Sequence, residues 1–165
     1  STIKAGLIAY ENPEDYDARA TLMIASSYSH NGLTGLGNKF YFTVHKLEHI
    51  LSGLYDEVAH GAGLAILFPA WAKYTKDIFK DKWINLGNTL NINSNKEDEL
   101  VDNTILYFEN LFKNINMPIR LEEVNVFEND FDEFAMRATK NNTVKVVGVK
   151  QLDKEDVLNI LKLAK

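Results

Sequence analysis

Residues 43–71, TVHKLEHILSGLYDEVAHGAGLAILFPAW, carry two helical signals of opposite kind only a few residues apart. Set on a helix at about 100° per residue, residues 44–55 place Val44, Leu47, Ile50, Leu51, Leu54 and Tyr55 on one side. His45, His49, Ser52 and Asp56 follow i, i+4, i+7, i+11 spacing and fall opposite, with Glu48 on the flank. Residues 64–71 are apolar on every side and contain Pro69. A helix without a polar face is a buried one. Between the two lies His60-Gly61-Ala62-Gly63, small residues that bend or break the chain. The stretch predicts a two-faced helix beside a buried helix over residues 62–76, with His60 at the mouth of the second. That arrangement draws three of the chain's four histidines together.

Imidazoles bind metals and exchange protons near neutral pH, which makes His45, His49 and His60 the candidate site. Two histidines four residues apart are also common on a merely solvated helix face, and spacing does not separate the two cases. The third histidine, beside Gly61 and Gly63, adds weight to a metal site. The chain has no cysteine. No thiolate site or disulfide framework is available, so a metal must be held by His, Asp or Glu.

The rest of the chain is also helical in pattern. Residues 1–10 form a helix, and Asn12-Pro13 looks like an N-cap and first helical residue for a helix reaching Tyr28, with Ala18, Leu22, Ala25 and Ser26 on a small-residue face. His30 follows, where a cation suits the helix dipole. Residues 31–38, NGLTGLGN, have neither a preceding strand nor a following Gly-Lys-Ser/Thr and form a loop rather than a phosphate cradle. Residues 80–90 make a short helix. Ser94 and Glu97 suggest a capping box for the clearest amphipathic helix, which runs from Leu100 to Ile115 and ends at Met117-Pro118. Residues 118–124 suit a helical turn, Asn129 or Asp130 caps FDEFAMRAT, residues 143–149 (TVKVVGV) are a loop or lone extended piece, and Asp153 caps a last helix to Leu163. The expectation is one all-α domain over residues 1–165, a bundle of about seven or eight helices.

Composition excludes several classes. A length of 165 residues suits one domain, and 45% hydrophobic with 25% charged residues is ordinary for a globular protein. A net charge of −5 without a basic cluster argues against nucleic-acid binding. The longest apolar run, residues 62–72, is too short to span a bilayer. The N-terminus STIKAGLIAY lacks the pattern of a signal peptide, so a cytoplasmic protein is expected.

The wording HKLEHILSGLYDEVAHGAGLAILFPAW closely resembles the second metal-binding stretch of the iron-containing alcohol dehydrogenases. Within them it is most similar to the NADPH-dependent butanol dehydrogenase branch. The similarity runs from ENPEDYDARA through SHNGLTG to EDVLNILKLA. It implies the C-terminal helical domain of that family. It also implies residue roles: His45 and His60 match two of the metal ligands, and His49 matches a histidine near the nicotinamide that can relay a proton. The implied metal is Fe²⁺ or Zn²⁺, the implied substrates are aliphatic aldehydes and alcohols, and NADPH is implied for a complete two-domain enzyme. Two features of the family are absent here: its upstream D-x-x-x-H-x-x-E ligands and its nucleotide-binding half with a Gly-Gly-Gly-Ser turn. The His45–His60 spacing of 15 residues is one longer than the family's form, as an insertion around Glu57 would make it. The resemblance therefore implies two of four ligands and no nucleotide site, a chain inactive alone that needs the N-terminal nucleotide-binding domain as partner. Apolar surface bared by that division would favour a homo-oligomer. The competing reading is a non-catalytic helical remnant or interaction module with a weak or vestigial histidine site. A zinc-dependent glycerol dehydrogenase is a weaker alternative, its wording around the histidines being different.

Overall fold

The computed structural model describes residues 1–37 and 39–165. It is all-α, as expected, with eight α-helices among the described residues. The chain divides into two compact units, Ser1–Phe40 and Tyr41–Lys165. In the first, α1 (Thr2–Glu11) and α2 (Tyr16–His30) pack together, followed by a 3₁₀ turn at Leu33–Gly35. Asn12-Pro13 does not start α2. Asn12 ends α1, and Asp15 caps α2 by accepting the Ala18 N–H at 2.8 Å. A carboxylate one turn further on is the stronger cap, because it meets the helix dipole with a full charge. The last residue of the predicted loop, Asn38, lies outside the described residues.

The second unit is built on α4 (His60–Thr75). Its Ala65, Ile66, Leu67, Ala70 and Ala72 are buried, as an all-round apolar sequence requires. Helices α3 (Thr43–Leu54), α6 (Glu97–Asn114) and α8 (Lys154–Leu163) each pack against it. Around it lie α5 (Lys80–Thr89), packed on α6, and α7 (Phe131–Ala138), packed on α3 and α8. One core joins Leu47 and Leu51 of α3, Ile66 and Leu67 of α4, Phe134 of α7 and Val157, Ile160 and Leu161 of α8. A second, aromatic core gathers Phe68, Trp71, Trp83 and Phe108 between α4, α5 and α6. No described helix is long and apolar enough to cross a membrane.

Helix α6 begins at Glu97, with Lys96 as its N-cap residue, rather than at a Ser94 cap. The Ser94 hydroxyl is instead shared between the Lys96 carbonyl and the Glu99 carboxylate, both at 3.0 Å. Asp153 caps α8 as the sequence predicts, in a reciprocal box with Asp156. Residues 143–149 contribute one isolated antiparallel bridge among the described residues, Val146 to Leu152. The Thr43 hydroxyl donates to the Val147 carbonyl at 3.0 Å and ties this segment to the start of α3.

Two polar joints brace α4. The buried Glu109 carboxylate of α6 accepts from Lys73 of α4 at 2.8 Å and from Arg120 at 2.9 Å. On the other side Asp156 of α8 accepts from the Tyr74 hydroxyl at 2.5 Å and from Lys150 at 2.6 Å. Burial pushes both carboxyls up, and the bonds from these partners outweigh it and hold both below the usual carboxylate range.

Two experiments test this packing. Gly63 of α4 faces α3 so closely that an added Cβ would meet Glu48 Cγ at 2.8 Å and Leu51 Cδ2 at 3.2 Å. Gly53 has nothing within 4 Å of such an atom. Gly63→Ala is expected to destabilise by about 1–3 kcal/mol through overpacking. Gly53→Ala should stabilise by about 0.5–1 kcal/mol through helix propensity. Equal shifts in thermal midpoint would refute the close approach. Second, carboxylates with lowered folded pKa values confer stability above their unfolded range of about pH 4–4.5, and that stability is lost as pH falls through the folded values. Glu109→Gln should cost roughly 1–3 kcal/mol at neutral pH and flatten the acid limb of a urea-midpoint profile. An unchanged acid limb would count against the Glu109 joint.

Candidate metal centre

The site is made by the turn that returns the chain from α3 to the start of α4. Helix α3 ends at Leu54, the Tyr55 N–H still bonding to Leu51. Val58 is buried, and its N–H bonds to the Tyr55 carbonyl at 3.0 Å. This apolar plug anchors the turn, and Ala59 caps α4 so that His60 is its first residue. The Ala62 and Gly63 N–H groups bond back to the Ala59 carbonyl. His60 is thereby held over the α3 face that carries His45 and His49.

The three rings converge. The His60 ring centroid lies 5.3 Å from that of His45 and 5.4 Å from that of His49. His45 and His49, one helical turn apart, are 6.5 Å apart with rings nearly perpendicular. Phe42 sets its ring edge-on to His45 at 5.3 Å. His49 and His60 are exposed and His45 is half-buried, so the cluster has an open side.

Helical phasing put Glu48 on the flank of α3, but the structure buries it completely. Its carboxylate turns inward, where Oε2 bonds to His60 Nδ1. The other oxygen, Oε1, is buried without a hydrogen-bond partner. Only a glycine at position 63 leaves room for this side chain. Among the described residues, the group of potential ligands whose donor atoms lie within 4.8 Å of one another is Glu48, His49 and His60; His45, expected as a ligand, is not in that group and is placed by its ring contacts with His49 and His60. No sequence signal marks this, because the pairing of Glu48 with Gly63, a carboxylate opposite a missing side chain, exists only once the helices are docked.

The remaining residues of the polar face do less. Ser52 spends its hydroxyl on the Glu48 carbonyl at 3.3 Å, and Asp56 lies past the end of α3. His30 is the last residue of α2, where its Nδ1 lies 3.2 Å from the Ser26 carbonyl, the helix-end position expected for it.

The donor set suits a borderline divalent ion. Imidazole nitrogens with an adjacent carboxylate fit Fe²⁺ or Zn²⁺. A completely buried carboxylate with one unsatisfied oxygen is costly unless positive charge lies close by. Both features fit a cation at this cluster.

Comparison with known proteins places the chain. The profile described as "Fe-containing alcohol dehydrogenase family, C-terminal" matches residues 2–165. The NADH-dependent butanol dehydrogenase A of Clostridium acetobutylicum is 38% identical over 167 aligned residues, covering 97% of this chain and 42% of that protein. The NADH-dependent butanol dehydrogenase B of the same organism is 36% identical over the same shares. The crystal structure of an NADH-dependent butanol dehydrogenase A from Thermotoga maritima superposes with a TM-score of 0.90 at 32% identity, over 98% of this chain and 42% of that one. The chain thus spans about two fifths of the length of these relatives. Matched almost end to end in both sequence and fold, this chain belongs to the iron-containing alcohol dehydrogenase family, as a C-terminal helical domain of the butanol dehydrogenase-like kind.

Proposed function

We propose that this domain is the metal-binding part of an NAD(P)H-dependent alcohol dehydrogenase that interconverts aliphatic aldehydes and alcohols. The observation that carries this is the convergence of His45, His49 and His60, with ring centroids 5.3–6.5 Å apart, on a side open to solvent. His45 and His60 would hold the ion through ring nitrogens. Bound there, Fe²⁺ or Zn²⁺ would act as a Lewis acid that polarises the substrate oxygen. His49 stands beside both ligands and is exposed, so it can carry a proton between the substrate oxygen and water. Hydride transfer needs a nicotinamide placed against the substrate. The described residues contain no strand and Gly-rich turn leading into a helix to hold it, so the nucleotide is assigned to a separate N-terminal part. The relatives' names support NADH as donor, and the resemblance of the sequence supports NADPH; both belong in the test. Tyr41 and Phe42, exposed beside the site helix, supply apolar surface for a homo-oligomer.

The test has two arms. The 165-residue chain, supplied anaerobically with Fe²⁺, butanal and either nucleotide, should give no turnover. A longer polypeptide carrying the nucleotide-binding part should turn over, and its His60→Ala variant should lose about 100-fold or more, the loss of several kcal/mol of charge stabilisation. Turnover by the chain alone would overturn the division of labour. Full activity of the His60→Ala enzyme would overturn the site and leave a non-catalytic helical module as the better account.

A further inference from the structure

We infer that Glu48 is a positioning residue for the metal centre, which accepts the Nδ1 proton of His60 and so commits the Nε2 lone pair of that ring to the ion. The inference rests on the proposed metal site, and it assigns a role to a side chain outside the proposed ligand set.

Three observations carry it. First, Glu48 Oε2 and His60 Nδ1 are hydrogen-bonded. A neutral imidazole carries one proton, so a proton held on Nδ1 leaves Nε2 as the free donor. Left to itself, neutral imidazole favours the opposite tautomer; the bond to Glu48 reverses that preference. Second, burial separates the two partners. The Glu48 side chain is fully enclosed, whereas the His60 side chain is 49% exposed. The carboxylate is thus on the enclosed side of the pair and the ring on the exposed side. A ligating imidazole backed by a carboxylate in this way is held in orientation and made more basic. Third, the surroundings are shaped for the carboxylate. Gly63 leaves open the space where a Cβ would come within 3.0 Å of Glu48 Oε1. That oxygen is buried and has no hydrogen-bond partner, so the bond from His60 to the other oxygen is the one this carboxyl group makes. A cation on Nε2 would draw positive charge onto the ring and complete the balance.

A purely structural role is the rival account, because a carboxylate near the first turn of α4 also meets the positive end of that helix dipole. The tautomer separates the two accounts. We would record long-range ¹H–¹⁵N spectra of the metal-free chain at alkaline pH. The same proteins would then be titrated with Co²⁺ or Zn²⁺. The native chain should show His60 with its proton on Nδ1. Glu48→Leu, which fills the buried space without an acceptor, should move the proton to Nε2 and weaken metal binding about 10- to 100-fold. Glu48→Gln, which keeps an acceptor oxygen, should restore the Nδ1 proton and part of the affinity. Helicity by circular dichroism confirms that each variant is folded. A native His60 protonated on Nε2 overturns the inference. So does a folded Glu48→Leu variant that binds metal as tightly as the native chain. His60→Ala provides the separate control. If it leaves metal binding unchanged, the proposed metal site fails. If it weakens binding while Glu48→Leu does not, that site stands and the role of Glu48 falls.

Discussion

The second unit of this protein depends on one helix with no polar side. Helix α4 buries Ala65, Ile66, Leu67, Ala70 and Ala72, leaves Leu64, Phe68 and Trp71 partly buried, and has three other helices packed on it. Water is excluded from the faces these helices cover, so each neighbour must present an apolar stripe. Helices α3, α6 and α8 do so with Leu47 and Leu51, with Val101 and Ile105, and with Val157, Ile160 and Leu161. Pro69 is itself buried, and the packing of the neighbouring helices offsets its missing N–H. The site inherits its geometry from the same element. His60 is the first residue of α4, so whatever fixes the helix also fixes the ring.

Polar joints define how α4 sits among its neighbours, a matter that apolar packing alone leaves loosely determined. Lys73 and Tyr74 are consecutive, and they engage Glu109 of α6 and Asp156 of α8 respectively. Asp156 has two tasks: one oxygen accepts from Tyr74 and Lys150, while the other accepts the Asp153 N–H in the capping box of α8. The start of α8 and the rotation of α4 are thereby set by a single carboxylate. At the opposite end of α4, Glu48 and His60 make the equivalent joint to α3. Each joint pairs a carboxylate with a donor that can carry positive charge, and in each the carboxylate is the better buried partner.

The helices were legible where local chemistry and tertiary demand agree. The all-round apolar run of α4, the two faces of α3, the apolar spacing of α6 and the Asp153 cap of α8 all appear in the structure near their predicted places. The two misplaced helix caps have one cause: a short-range signal outweighed by a charge a few residues away. Asn12-Pro13 has the form of a helix start, yet Asp15 caps more strongly and α1 claims Asn12. Ser94 resembles a cap, yet its hydroxyl serves the Glu99 carboxylate and the Lys96 carbonyl, and Glu97 opens the helix. At the site, the convergence of the three imidazoles was legible because it follows from two helices and a short turn. The burial of Glu48 was not. It depends on the absence of a side chain at Gly63, across a helix interface that no periodicity within α3 records.

On the proposed reading, the contrast between exposed imidazoles and an enclosed carboxylate has a physical logic. A catalytic ion must keep an open position for substrate, so its ligands stand at a surface. Surface side chains are free to rotate, and rotation blurs the geometry that a Lewis acid requires. Burying the group behind a ligand solves this without closing the site. Glu48 is immobilised by the packing of α3 on α4, and it passes that order to His60 through one hydrogen bond. The donors on α3 and α4 are in this way arranged by the packing of those two helices. On that reading, what the half-site requires from elsewhere is further ligands and a hydride source.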